Sequence, residues 1–165
     1  NKDQVEVTDH EGKAEILWDA FKSRLGQSNG HSMHFDLNDL YENTVDPHIF
    51  IDLEKPFTQE EIDDVVKNLP ADKSPGPDGF NNEFLKSCWD IIKADVIELI
   101  MAFHAGNVNL ESINTSFITL IPKKEVPLSP NDFRPISLLN GVLKIITKLL
   151  ANRLQRVILQ MVHIN

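Results

Sequence analysis

The chain has 165 residues, 41% of them hydrophobic and 25% charged, an ordinary balance for a soluble globular domain and not that of a disordered one. A single cysteine, Cys88, excludes an internal disulfide and fits a reducing compartment. No apolar run approaches the ~20 residues a membrane span needs and no signal peptide is recognisable, so the expected setting is nuclear or cytoplasmic, with no membrane partner.

Ala14, Leu17, Trp18, Phe21 and Leu25 recur at three- and four-residue spacing and predict an amphipathic helix with Gly26 just beyond its end. Gln27 to Met33 reads as a flexible connection. The acidic tract from His34 to Lys55 is weakly periodic and is expected to pack loosely or be partly mobile. Thr58 and Glu61 then form a capping-box pattern, with Phe57 and Ile62 as its hydrophobic staple. Ile62, Val65, Val66 and Leu69 make one apolar face, and Pro70 stops the helix. Ser74 to Gly79 is a proline- and glycine-rich loop with too many fixed φ angles and missing amide donors for regular structure.

From Asn81 to Ala105 the spacing is helical again, with a break near Trp89 to Lys93. Phe84, Leu85, Cys88, Trp89, Ile92, Val96, Leu99, Ile100 and Phe103 form its predicted buried side. Thr115–Pro122 and Phe133–Leu139 read as the two strands of a hairpin with a long tip from Lys123 to Asp132. Pro135 requires the second strand to lie at an edge or be short. Asn140 is placed to cap the last and longest helix, whose wide apolar face runs through Val142, Ile145, Ile146, Leu149, Leu150, Leu154, Val157, Ile158 and Met161.

The net charge of −9 argues against a free-standing nucleic-acid-binding domain, which would carry a basic footprint to displace counterions from phosphates. The charge is unevenly spread. Residues 1–72 hold 6 Lys/Arg against 17 Asp/Glu, whereas residues 121–165 hold 7 against 2.

Three segments, Lys73-Ser-Pro-Gly-Pro-Asp-Gly79, Leu120-Ile-Pro-Lys-Lys124 and Asp132-Phe-Arg-Pro-Ile-Ser-Leu-Leu-Asn140, resemble in this order the opening blocks of the reverse transcriptase domain of non-LTR (LINE-type) retrotransposons, most closely the plant elements. Pro56-Phe-Thr-Gln-Glu-Glu-Ile62, Asn81-Asn-Glu-Phe-Leu-Lys86, Trp89-Asp90 and Lys148-Leu-Leu-Ala-Asn-Arg-Leu154 resemble their counterparts too. The resemblance therefore covers residues 54–165 and, more loosely, Glu11 to Leu25.

The resemblance implies an α+β fold, mainly helical with a two-stranded fingers hairpin, forming part of a right-hand reverse transcriptase. Residues 1–55 would be an acidic connecting segment with one helix, and residues 56–165 the N-terminal fingers part. The implied parent is an RNA-directed DNA polymerase using an RNA template, a DNA primer and deoxynucleoside triphosphates. Its reaction would be two-metal phosphoryl transfer, with Mg2+ expected for the intact enzyme and no cofactor in this portion. The 165 residues end before any block with the metal-binding aspartates. Alone they are expected to be inactive and to bind nucleic acid weakly or not at all. The alternative from another class is a non-catalytic transposon remnant, serving as an interaction module or having no function.

By resemblance, Lys123 and Arg134 occupy the two hairpin positions that reach the triphosphate of the incoming nucleotide. The residue types suit that task, a compact ammonium charge and a planar guanidinium fork against phosphate oxygens. The plainer reading is two solvated side chains at a hairpin tip, and Lys124 could stand in for Lys123. Gly76, Asp78 and Gly79 would lie near the template, with backbone amides offered to a phosphate; the plainer reading is a rigid turn in which Asp78 bonds its own backbone.

Lys144, Lys148, Arg153 and Arg156 could line a nucleic-acid channel, although snorkelling around a buried stripe accounts for most of them. Asp63-Asp64 sits in the first turns of a capped helix, where carboxylates favour the dipole, and is not read as a polymerase pair. His31, His34 and Asp36 have loose metal-ligand character that linker histidines commonly show. Cys88 reads as a small buried hydrophobe, and Trp18 and Trp89 lie at core-type spacing.

Overall fold

The computed structural model describes residues 6–25 and 51–161. Among them are six helices and a two-stranded antiparallel sheet, in the order α1 (His10–Leu25), α2 (Ile51–Glu54), α3 (Gln59–Lys67), α4 (Asn82–Ser87), α5 (Trp89–His104), β1 (Ser116–Pro122), a 3-10 turn (Pro130–Asp132), β2 (Phe133–Leu139) and α6 (Gly141–Met161). The fold is α+β, as the resemblance implies. The connection from Gln27 to Met33 and most of the acidic tract from His34 onward lie outside the described residues. Two compact units are formed: α1 with Thr119–Ile136 at the turn end of the hairpin, and the other helices with the remaining ends of both strands.

The larger unit is organised by α3. Thr58 is extended, and its Oγ1 accepts the Glu61 amide at 3.2 Å while the Glu61 carboxylate accepts the Thr58 amide at 2.9 Å, so both halves of the capping box are made. Two helix-end donors are thereby satisfied. The apolar face that follows is buried throughout, with Ile62 and Val66 at 0% and 1% exposure. It packs against Ile145, Ile146 and Leu149 of α6 and against Leu85, Val96 and Ile100 of α4 and α5.

The helical stretch after the loop breaks at one residue, Cys88, just ahead of the predicted window. Its amide closes α4 on Phe84 O, and its carbonyl accepts the Ile92 amide that opens α5. This offset turns part of the predicted buried side outward. Cys88 itself is half-buried, and Phe84 is 38% exposed. A similar correction applies to α6, where Leu150, Leu154 and Ile158 are exposed while Ile145, Ile146, Leu149 and Val157 are buried. Within this unit α3 covers only one stripe of α6, and a helix face wider than its partner leaves a second stripe uncovered.

Arg153 is the buried cation of this unit, at 6% exposure. Its guanidinium donates to Glu61 Oε1 at 3.1 Å and Oε2 at 2.7 Å, and to the carbonyls of Pro56 at 2.9 Å and of Lys55. Its face also lies 4.2 Å from the centroid of the Phe57 ring. A guanidinium can be buried because its planar donors are matched this fully. The Glu61 carboxyl is held below its ordinary value, first by Arg153 and then by the Thr58 amide. The cap of α3 and the anchor of α6 thus share one carboxylate.

In the smaller unit Phe21 is the buried residue of α1, and Arg24 donates to Asn131 Oδ1 while lying over the Phe21 ring. Trp18 is 66% exposed and Leu25 61%, so the predicted core face of α1 is mostly open. Among the described residues of this unit the 3-10 turn packs on it.

Removing the Thr58 hydroxyl should cost about 1 kcal/mol, the usual loss for a helix cap. Arg153→Ala should cost about 3–5 kcal/mol, because it strips one partner from a buried ion pair and orphans backbone carbonyls. Urea melts of the two variants check this, and equal small losses would mean that Arg153 does not anchor α6.

Candidate functional site

The Ser74–Gly79 loop owes its shape to a pair of side-chain exchanges across 62 or more residues. Within the loop Gly79 N donates to Gly76 O at 3.1 Å, closing a turn with Pro77 at its second position, where its fixed φ is favourable. Asp78 N donates to Asn140 Oδ1 at 3.0 Å, and Asp78 Oδ2 accepts the Gly141 amide at 2.5 Å. Asp78 Oδ1 accepts the Phe80 amide at 3.2 Å. Asn140 Nδ2 donates to Ile113 O at 2.9 Å, and Lys144 Nζ reaches Ser74 O at 2.8 Å.

Asn140 therefore stands at the start of α6 as expected, but its side chain is engaged elsewhere. The helix end is capped from outside, by Asp78. The amides of Asp78 and Gly79 are both donated within the loop and its anchor. Asp78 bonding the Phe80 amide two residues on is the self-bonded turn of the plainer reading.

Two glycines hold the loop for different reasons. A Cβ on Gly76 would lie 2.4 Å from the Leu139 carbonyl carbon and 2.5 Å from the Asn140 amide nitrogen. The loop backbone and the β2–α6 junction are in direct contact there, and neither can give way cheaply. Gly79 has open space around it but a φ of +75°, a conformation in which a side chain is strained.

In the hairpin the strand ends place Ser116 opposite Leu139 and Pro122 opposite Phe133, and Lys123 N donates to Asp132 O at 2.7 Å. Alternation from that pair puts Pro135 at a non-hydrogen-bonded site opposite Leu120, so its missing N–H costs no ladder bond. The same alternation puts Arg134 opposite Ile121, on the face that also carries Lys123. The two candidate residues thus share one side of the hairpin near its tip.

Their surroundings differ. Lys123 Nζ donates to Asn131 O at 2.8 Å, and Lys124 Nζ lies 3.0 Å from Asp132 Oδ2. Arg134 is exposed and makes no side-chain hydrogen bond or ion pair among the described residues. Asp132 organises the tip, accepting the amides of Leu128 at 2.9 Å and Ser129 at 3.0 Å. Its carboxyl is held down at about 2 from an ordinary 3.8, chiefly by the Leu128 amide and next by Lys124.

Of the basic residues on α6, Arg153 is the internal anchor already described, Lys144 ties down the loop, and Lys148 and Arg156 are exposed. Asp63 accepts Trp89 Nε1 at 2.8 Å and Lys93 Nζ at 2.6 Å, and Lys93 is the main cause of its lowered pKa. It serves as a helix-to-helix tie. Among the described residues no group of three or more His, Cys, Asp or Glu side chains could hold a metal ion. His31, His34 and Asp36 lie outside the described residues. Sequence reasoning missed the Asp78–Asn140 exchange. The trace it leaves is that each residue precedes a glycine, Gly79 and Gly141.

No protein-family model matches the chain. Over 112 residues, 67% of its length, it is 34% identical to the transposon TX1 uncharacterized 149 kDa protein of Xenopus laevis, of which it covers 8%. Over 104 residues, 61% of its length, it is 36% identical to the probable RNA-directed DNA polymerase from transposon BS of Drosophila melanogaster, of which it covers 11%. The chain is thus related to transposon-encoded proteins and spans about a tenth of the length of these curated relatives. No helix among the described residues is long and apolar enough to cross a membrane.

Gly76→Ala should lower stability by about 3 kcal/mol, the upper range for overpacking, because the added methyl meets backbone rather than a movable side chain. Gly79→Asn should cost under about 1 kcal/mol, since asparagine tolerates positive φ. Thermal or urea melts will rank them, and a neutral Gly76→Ala would refute the close approach to Leu139 and Asn140.

The depressed pKa of Asp132 gives the tip a defined acid limit. The carboxylate stabilises the tip in full above about pH 3.8, and that contribution is lost as pH falls through about 2. In an NMR titration Asp132 should titrate near the lower value, and Lys124→Ala should move it upward. An ordinary Asp132 titration in the unaltered chain would show that the tip amides do not bind it.

Proposed function

We propose that the chain is the fingers-bearing N-terminal part of the reverse transcriptase of a LINE-type retrotransposon, of the kind found in plants. Residues 56–165 would supply contacts to the incoming deoxynucleoside triphosphate and to the RNA template. The observation that carries this reading is the placement of Arg134, exposed on the hairpin face it shares with Lys123, in a chain related to a probable RNA-directed DNA polymerase. Magnesium chemistry, the DNA primer site and the catalytic carboxylates belong in this reading to the intact enzyme.

Arg134 carries the nucleotide contact. A guanidinium offers two parallel donors to phosphate oxygens and keeps its charge throughout transfer, so it stabilises charge that develops there. Lys123 is the second positive charge, and it must exchange its bond to Asn131 O for phosphate. Lys124 is coupled to Asp132 and is the weaker candidate. The Ser74–Gly79 loop serves as a rigid shelf for the template: with the Asp78 and Gly79 amides already donated, its contribution is position rather than a free amide nest.

In a polymerase extended through its palm, Arg134→Ala should lower kcat/KM for the nucleotide about 10- to 1000-fold, the scale of losing one preorganised charge-stabilising donor. Folding stability should barely change. Arg134→Lys should restore only part of the rate, because a point charge replaces a fork. Steady-state kinetics on folded variants decide the matter, and wild-type efficiency in the alanine variant would return Arg134 to a solvated tip residue.

A further inference from the structure

We propose that Phe80 and Phe84 form a stacking platform for an unpaired base of single-stranded RNA, beside the Ser74–Gly79 loop. This proposal rests on the template reading of that loop. The two rings are stacked, with centroids 4.5 Å apart and planes 12° from parallel, and they remain 45% and 38% exposed. Each ring turns one face to the other, and both residues keep solvent-exposed surface.

The mount is rigid. The Phe80 amide is held by Asp78 Oδ1 at 3.2 Å and the Phe84 amide by Asn81 Oδ1 at 2.8 Å. Asp78 is itself tied to the start of α6 through the Gly141 amide. A ligand therefore finds the pair already arranged and loses little freedom in ordering it.

The chemistry favours a nucleobase. A planar aromatic face accepts any base in offset stacking, and such contacts carry single-strand binding without sequence readout. Lys73 and Lys86 flank the segment and make no ion pair or side-chain hydrogen bond among the described residues, so two ammonium groups are available for phosphates on either side. Of the two carboxylates between them, Asp78 is occupied by backbone amides, and Glu83 remains exposed. RNA rather than another partner is indicated by the related probable RNA-directed DNA polymerase.

The test uses the 165-residue chain and a 12-nucleotide single-stranded RNA carrying one 4-thiouridine and a fluorescent end label. Crosslinks at low salt should map to the peptide containing Phe80 and Phe84. Phe80→Leu with Phe84→Leu keeps apolar bulk and removes the π faces; it should weaken binding about 5- to 50-fold, the scale of a lost base–aromatic stack, with an unchanged salt slope. Tyrosine at both positions should restore the affinity. Lys73→Gln with Lys86→Gln should instead flatten the salt slope.

Crosslinks on the loop alone, with unchanged affinity in the leucine variant, would overturn the platform and leave the template reading standing. Failure of the unaltered chain to bind the RNA at low salt would overturn the platform, whereas the template reading, in which these residues alone bind weakly or not at all, would stand. Crosslink mapping needs no substitution, so a leucine variant that unfolds does not spare the proposal.

Discussion

The exchange between Asp78 and Asn140 is the constraint on which the loop side of the larger unit depends. Each residue satisfies a backbone group belonging to the other's segment: Asn140 accepts the Asp78 amide, and Asp78 accepts the amide that opens α6. Orphan donors at a helix start must find partners, and here the partner comes from a loop far away in sequence. The contact requires backbone to touch backbone, which is why Gly76 carries no side chain. A loop that would otherwise be free to move becomes part of the rigid framework, and Phe80, bonded to the same carboxylate, is fixed with it.

A second carboxylate performs a similar double task. Glu61 closes the capping box of α3 and receives the Arg153 guanidinium, so the local signal that starts one helix also positions another. Burying a charge is costly unless it is fully matched, and the matching here uses backbone carbonyls ahead of α3 as well as Glu61. Together with Lys144, this explains how a basic C-terminal region can coexist with an apolar core. Arg153 is internal and Lys144 is a loop tie, which leaves Lys148 and Arg156 as the solvated charges of α6.

The smaller unit follows a different logic. Among its described residues the apolar core is slight, and polar contacts hold it: Arg24 on the Asn131 side chain, Lys123 on the Asn131 carbonyl, and Asp132 gathering two amides and Lys124. Such a tip depends on ionised groups and on backbone donors rather than on buried area. Arg134 stands outside this network and is exposed.

Much of this was legible in the chain of letters, and the residues that were legible share a property. The capping box at Thr58 and Glu61, the apolar stripe behind it, the proline–glycine loop and the hairpin with its edge proline are all set by neighbours within a few positions. Local sterics and hydrogen-bond geometry suffice for them. The ordered blocks around Lys73, Lys123 and Arg134 pointed to transposon reverse transcriptases, and relatives encoded by transposons agree at that coarser level. What the sequence by itself could not determine are the partners at a distance: Asn140 meeting Asp78, Arg153 turned inward, Phe84 and Leu150 left exposed, and Trp18 outside the core. Periodicity says which side of a helix is apolar, but only the helices that pack against it decide how much of that side is covered, and only the tertiary fold decides which charge finds its partner inside.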